Sequence, residues 1–298
     1  MVALEPLLAV VLPVGLVVLA GNIWARLRPG PFSTLNEVAL YVFVPALVYD
    51  TVSRSALSWS ETFAVGGCAF AVSIGCAALA FLWLRARGDY RPGLILACAV
   101  PNNGNLGMSL CLFAFGETGL TLATLYYMGS TVLCFTIGIQ LMASRQQGMR
   151  EIFRTPLPYA LVLGALVRTL NLDTPIALSR AAALLGQAAV PCMLLSLGHR
   201  LATIPLGRQA AHGHLLIAAQ AAALRIGVGL GIALVYVWLV PMSDLTRKVI
   251  IVQASMPTAV ITTVLTERYA RDPGLVATTV ALSTAVSLFT LPLLLSML

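Results

Sequence analysis

Residues 98–110 read CAVPNNGNLGMSL, which sets one proline, three asparagines and two glycines in the middle of an apolar run from 92 to 115. Proline removes a backbone donor and clashes with the preceding helical turn, and asparagine and glycine lower helix propensity further. In the hydrocarbon of a membrane, such a break is tolerated only where the freed backbone groups face protein or a wet cavity. The stretch therefore predicts an interrupted membrane helix, broken at Pro101 beside a cavity near the midplane.

The composition of the whole chain also predicts a membrane protein. Of its 298 residues, 59% are hydrophobic and only 10% are charged, which is too few charges for the exterior of a soluble domain of this length. The net charge of +7 comes from basic residues in short loops rather than from a patch or stripe, so no nucleic-acid partner is expected. The six cysteines lie in apolar segments without metal-ligand spacing, so neither a disulfide framework nor a metal site is expected.

Ten apolar stretches are long enough, or nearly so, to cross a bilayer, for which a helix needs about 20 residues. They are continuous runs, unlike the alternating segments of a membrane β-barrel. Numbered one to ten along the chain, these spans are 6 to 25, 35 to 53, 62 to 84, 92 to 115, 119 to 143, 157 to 171, 176 to 198, 214 to 239, 248 to 267 and 274 to 297. The sequence therefore predicts an all-α integral membrane protein with ten transmembrane helices.

Basic residues are unequally shared between the loops. The loops after even-numbered spans and the adjoining helix ends hold five, and Arg225 falls within span eight. The loops after odd-numbered spans hold twelve: Arg26, Arg28, Arg85, Arg87, Arg91, Arg145, Arg150, Arg154, Arg200, Arg208, Arg268 and Arg271. Because cytoplasmic loops retain basic residues, we expect a multi-pass protein of the inner (plasma) membrane with both ends of the chain outside the cytoplasm.

The two halves of the chain carry similar markers in the same order, at offsets between 146 and 156 residues. The matched pairs are Pro45 with Pro191, Pro101 with Pro257, Gly119-Leu120 with Gly274-Leu275, Ser130-Thr131 with Ser283-Thr284, and Phe135-Thr136 with Phe289-Thr290. Five helices per repeat is an odd number, so the second repeat enters the membrane from the opposite side, as in many secondary transporters. The predicted inverted repeats are residues 1–145 and 155–298.

The break in span four predicts an anion site. The half-helix after Pro101 points unpaired N–H groups and the positive end of its dipole into the cavity. Span nine offers a second break at Pro257, running the opposite way, although Pro257 could also only kink its helix. Arg225 could neutralise a carboxylate substrate, or it could snorkel or pair with backbone carbonyls exposed at the breaks. The candidate substrate-binding residues are Pro101, Asn102, Asn103, Gly104, Asn105, Pro257, Thr258 and Arg225.

Residues 101–110 with 115–117 resemble the fourth-helix signature of the auxin efflux carrier family. The segments 254–257, 268–270, 280–284 and 288–292 resemble the last two helices of that family. The resemblance implies a ten-helix fold shared in outline with the bile acid:sodium symporters, in which helices four and nine cross at their prolines beside the substrate. It also implies a scaffold of spans one, two, six and seven, against which a transport core of spans three to five and eight to ten moves by an elevator mechanism.

The resemblance further implies an organic-anion substrate, either a small carboxylate such as malonate or malate or an auxin-like acid. The short segment between spans five and six, where many plant members carry a long hydrophilic loop, favours the bacterial type. By analogy with the symporters, Ser130, Thr131, Ser283 and Thr284 could bind a coupling Na⁺ near the breaks, although small hydroxyl residues also ease helix packing. Gln253, one helical turn before Pro257 on the same face, is a further candidate for the coupling ion.

The leading prediction is a secondary active transporter of a small organic anion that works by alternating access. The alternatives are a sodium-coupled symporter of the bile acid type and a channel or receptor that does not cycle. No enzyme is expected, since no catalytic constellation lies within the spans, and no cofactor is expected beyond Na⁺ or H⁺ as the coupling ion. The predicted partners are the substrate, the lipid bilayer and a possible second copy in a homodimer.

Overall fold

The computed structural model describes residues 4–30, 32–142, 154–203 and 212–298. Within these residues there is no β-strand, and the only β-bridge joins Pro101 to Thr258. The helices are α1 (Leu4–Leu27), α2 (Ser33–Ser53), α3 (Trp59–Ala86), α4 (Pro92–Ala99), α5 (Asn103–Leu133, continued by a π-helical turn at Cys134–Gly138 and a short helix at Ile139–Met142), α6 (Leu157–Thr169), α7 (Ile176–Thr203), α8 (His212–Leu239), α9 (Asp244–Ala254), α10 (Ile261–Arg268) and α11 (Pro273–Met297). The predicted all-α class is confirmed. Three arginines of the predicted cytoplasmic loops, Arg145, Arg150 and Arg208, lie outside the described residues.

Within the described residues, seven helices are long and apolar enough to cross a membrane: α1, α2, α3, α5, α7, α8 and α11. Their outer faces expose large apolar side chains such as Trp238 and Phe289, which is typical of contact with lipid. Span four corresponds to α4 with the first arm of α5, span five to the second arm, and span nine to α9 with α10. These pieces are short, so the ten-span count and the inverted repeat stay predictions.

Local sequence explains where the long helices are distorted. In α2, a π-helical turn at Ala39–Phe43 precedes Pro45, whose ring would clash with the carbonyl four residues earlier in a regular helix. In α7, the regular helix is interrupted at Ala188, just before Pro191. In α5, Gly116 has a φ of 68° and separates the two arms. The matched prolines of the two halves thus each distort their helix about one turn upstream.

The helices pack as two sets. In the first set, α1 packs on α7, and α2 packs on both α6 and α7. In the second set, α3 packs on α4, α5 and α8, and α8 packs on α9 and α11. The crossing of the two interrupted helices lies in the second set, against the face of α7.

Candidate functional site

The two interrupted helices meet at their breaks. The amide of Asn102 donates to the carbonyl of Pro257 at 2.7 Å, and the amide of Ala259 donates to the carbonyl of Val100 at 2.9 Å. The freed backbone groups of one break are therefore satisfied by the other break, as burial in a membrane protein requires. Span nine is interrupted rather than only kinked, because α9 ends at Ala254 and α10 begins at Ile261.

Arg225 lies on one side of this crossing, with its side chain fully buried. Its guanidinium donates to the carbonyls of Cys98, at 3.0 Å, and Ala254, at 2.7 Å, in the last turns of α4 and α9. Cys98 and Ala254 are 156 residues apart, as are Pro101 and Pro257. The sequence left open whether Arg225 neutralises a substrate, snorkels or pairs with backbone carbonyls, and its contacts are those of a residue that pairs with carbonyls. The guanidinium thereby neutralises the negative ends of α4 and α9.

A cavity of about 370 Å³ lies against the crossing. Two helices begin next to its wall, α5 directly after the lining residue Asn102 and α10 at the lining residue Ile261, so two positive dipole ends face this region. The remaining wall comes from α2, the second arm of α5, and α7. The lining residues include Ser33, Asn36, Glu37, Leu40, Val44, Val100, Pro101, Asn102, Gly104, Asn105, Tyr127, Ser130, Thr131, Met193, Ser196, Arg200, Val260 and Ile261.

The predicted site residues divide into two groups. Six of them line the cavity: Pro101, Asn102, Gly104, Asn105, Ser130 and Thr131. Seven others are not among its lining residues: Asn103, Arg225, Gln253, Pro257, Thr258, Ser283 and Thr284. The two groups meet at the crossing, so the structure brings together residues that are far apart in the sequence.

The second group forms a buried polar cluster behind the crossing. Asn103 Nδ2 donates to the carbonyl of Gln253 at 3.4 Å, and the amide of Thr258 donates to Ser283 Oγ at 3.1 Å. Four buried side-chain oxygens of this cluster have no hydrogen-bond partner among the described residues: Asn103 Oδ1, Gln253 Oε1, Thr258 Oγ1 and Thr284 Oγ1. The described residues contain no cluster of three His, Cys, Asp or Glu side chains that could hold a metal ion, so a cation here would depend on neutral oxygens.

Several cavity residues were missed by the sequence prediction. Met193 and Tyr127 approach Gly104 so closely that a Cβ at Gly104 would lie 2.8 Å from Met193 Cε and 2.9 Å from Tyr127 Cε2. Arg200, which the sequence analysis counted only among the basic residues of the predicted cytoplasmic loops, also lines the cavity. Because α7 belongs to the other half of the chain, no local pattern indicates that it meets the break in span four.

A second cavity, of about 620 Å³, lies at the other end of the same α2 and α7 contact. Its wall includes Asp50, Arg54, Glu117 and Gln187, and none of the residues at the crossing. Asp50 and Arg54 form an ion pair of 2.9 Å. The two cavities are therefore separated along α2 by the segment between Val44 and Leu47.

Known proteins match almost the whole chain. A family model described as membrane transport protein matches residues 2–151 and 147–295. An uncharacterized transporter of Methanothermobacter thermautotrophicus is 31% identical over 270 residues, which cover 88% of this chain and 87% of the relative. An uncharacterized transporter of Methanocaldococcus jannaschii is 26% identical over 301 residues, covering 95% and 96%.

A third relative, from Rhizobium meliloti, bears the name "Putative malonate transporter" and is 26% identical over 310 residues, which cover 94% of this chain and 92% of the relative. The family match and these three relatives agree with the membrane-spanning helices described above. The chain therefore belongs to the membrane transport protein family, the auxin efflux carriers, and is a multi-pass membrane transporter rather than an enzyme.

Proposed function

We propose that the chain is a secondary active transporter that moves a small organic anion by alternating access. The observation that carries this proposal is the cavity at the crossing, where the starts of α5 and α10 direct two positive dipole ends toward one space. Helix starts of this kind bind anionic substrates in transporters with interrupted helices. Since one relative is named for malonate transport, a small carboxylate is the first substrate class to test.

The proposed fold is ten spans in two inverted repeats, and contacts between loops support it. Six long-range polar contacts each join residues that lie in loops, or within two helical turns of a loop, on the same side of the membrane in the ten-span prediction. On the cytoplasmic side these are His199 with Gly30, Arg91 with Asp272, and Arg87 with Gln220. On the outer side they are Arg54 with Ser179, Arg168 with Leu57, and Thr246 with Glu61.

Alternating access is supported by the two cavities at opposite ends of α2 and α7. The first cavity extends from the crossing to exposed residues Ser33 and Glu37, at the predicted cytoplasmic end of α2. The second cavity occupies the predicted outer end and does not include the crossing. In an elevator cycle, the scaffold (α1, α2, α6 and α7) would stay fixed while the core (α3–α5 and α8–α11) carries the crossing from one cavity to the other. A homodimer through the scaffold stays a prediction.

Sodium coupling is a second candidate, favoured by the four unpartnered oxygens behind the crossing. Oxygen ligands suit hard cations, and transporters with interrupted helices use the carbonyl ends of half-helices to hold Na⁺. In this chain Arg225 already occupies the carbonyl ends of α4 and α9. A sodium site would therefore depend on the side chains of the buried cluster alone.

The experiment is uptake of labelled malonate into proteoliposomes, with Na⁺ and pH gradients imposed separately. We expect uptake that saturates, shows counterflow and follows one gradient. Asn105→Ala removes an amide from the cavity wall and should raise the KM by about tenfold, the loss of one hydrogen bond to a charged group. Gln140→Ala, at an exposed position away from the cavity, is the control.

Each alternative function gives a different result in this experiment. Uptake without saturation or counterflow would favour a channel, and binding without flux would favour a receptor. Wild-type KM in the Asn105→Ala variant would contradict the proposed site.

A further inference from the structure

Arg200 is the one cation among the described residues that line the cavity at the crossing. Among the residues that the structure describes, its side chain makes no hydrogen bond and no ion pair. Glu37 lines the same cavity and forms no ion pair with it. Arg200 is therefore available to a negatively charged group that enters the cavity.

The position of Arg200 along α7 orients it toward the crossing. Met193, Ser196 and Arg200 follow one another at helical spacing and all line the cavity. Met193 lies at the crossing, since its Cε is close to Gly104. The rise from Met193 to Arg200 is about 10 Å, and side chains lean toward the start of their helix. We therefore expect the guanidinium of Arg200 to point back along α7 toward the crossing.

The cavity thus offers two separate positive elements, the helix starts at the crossing and the guanidinium of Arg200. A helix start binds one carboxylate through backbone amides, and a guanidinium binds a carboxylate with two parallel hydrogen bonds. A small molecule with a carboxylate at each end satisfies both elements, whereas a monocarboxylate satisfies only one.

From this arrangement we propose that Arg200 binds the second carboxylate of the substrate and makes the transporter selective for small dicarboxylates. This inference rests on the proposed function, since it adds a second contact to the same anion site. Glu37 repels a substrate that carries a further negative charge near this end of the cavity, which limits the preferred substrates to dianions.

The test compares each dicarboxylate with its half-amide, which has nearly the same shape and one charge fewer. Labelled malonate, succinate and glutarate, with malonamate, succinamate and glutaramate, are taken up by proteoliposomes of wild type, Arg200→Gln and Arg200→Lys. For wild type we expect kcat/KM to favour at least one diacid over its half-amide by about tenfold, mostly through KM. Arg200→Gln should reduce this ratio to about one.

Arg200→Lys keeps the charge but loses the bidentate geometry, so it should restore part of the ratio. Arg28→Gln, at an exposed position on the same predicted side that does not line the cavity, should leave the ratio unchanged. A merely structural role of Arg200 would lower the uptake of diacid and half-amide together and would not move their ratio.

The outcomes separate this inference from the proposed function. If Arg200→Gln keeps the wild-type ratio, or if wild type takes up half-amides as well as diacids, the role of Arg200 is overturned while carboxylate transport stands. If wild type takes up none of the six compounds, carboxylate transport itself is overturned, and the role of Arg200 with it.

Discussion

At the scale of single residues, Arg225 is exceptional, because it is the one Arg, Lys, Asp or Glu side chain that is buried among the described residues. It is fully buried and donates to one carbonyl of each interrupted helix. Gly229, one turn later in α8, leaves the room that the guanidinium occupies, since a Cβ there would collide with Arg225 and with the carbonyl of Ala254. One charge therefore holds the ends of two half-helices whose dipoles would otherwise repel each other.

Replacing Arg225 by methionine should destabilise the protein. Methionine fills part of the space but leaves two buried carbonyls without donors, at a cost of about 3 kcal/mol in the free energy of unfolding. For a chain of this size, that corresponds to a drop of roughly 5–10 °C in unfolding temperature. A thiol-reactive dye in detergent can follow the unfolding, because five of the six cysteines are buried.

The control for this prediction is Arg180→Met, at an exposed position of α7, which should unfold at the wild-type temperature. The unfolding assay contains no carboxylate substrate, so a loss of stability cannot arise from a lost contact with the substrate. Equal unfolding temperatures for Arg225→Met and wild type would show that the two helix ends do not need the guanidinium.

Residue type alone could predict only part of this site. Asn102 and Asn105 could be found, because amides next to a proline mark a break that must face polar groups or a cavity. Arg225 could be recognised as exceptional, but its partners Cys98 and Ala254 depend on where α4 and α9 end in space. Arg200 could not be found, because only the packing of α7 against the crossing brings it to the cavity.

At the scale of elements, small residues decide how closely α1 and α7 approach. A Cβ at Gly21 would collide with the backbone of Leu195, and one at Gly198 would collide with the carbonyl of Val18. Close approach through small residues is a common way for membrane helices to pack. This contact joins the two longest helices of the proposed scaffold, and a rigid scaffold is what the proposed elevator cycle requires.

Gly198→Ala should therefore separate α1 from α7. Because the obstacle is a backbone oxygen, the helix itself must shift, and overpacking of this kind costs about 1–3 kcal/mol. Gly15→Ala is the matched control, since Gly15 lies in α1 and nothing is within 4 Å of its added Cβ. In the same dye assay, we expect only Gly198→Ala to unfold at a lower temperature, and an unchanged value for it would contradict the close approach.

Most of the element pattern could be predicted from sequence because prolines and glycines mark it directly. Pro101 and Pro257 mark the two breaks, and Gly116 marks the turn between the arms of α5. The π-helical turn at Ala39–Phe43 could not be predicted, because nothing in these residues themselves distinguishes them from a regular helix. Its cause, Pro45, acts from the following turn.

At the scale of the whole molecule, the number of crossings decides the architecture. Seven helices are long enough to cross the membrane by themselves. If only these seven crossed, α9 would begin and α10 would end on the outer side. With ten crossings, the end of α10 lies on the cytoplasmic side, together with the loop between α3 and α4. The ion pair of 3.3 Å between Arg91, in that loop, and Asp272, after α10, supports the proposed ten crossings over seven.

Labelling of introduced cysteines by a membrane-impermeant maleimide in whole cells tests the number of crossings. Single cysteines replace the exposed residues Arg85, Asp173 and Glu267, in a background where half-buried Cys192 is serine. Ten crossings predict labelling of Asp173→Cys alone, whereas seven crossings predict labelling of Glu267→Cys as well. Arg85→Cys should be protected in both arrangements and labelled only after the cells are permeabilised, which shows that the reagent stays outside. Labelling of Glu267→Cys in intact cells would exclude the inverted repeat, because α9 and α10 would then enter and leave the membrane on the same side.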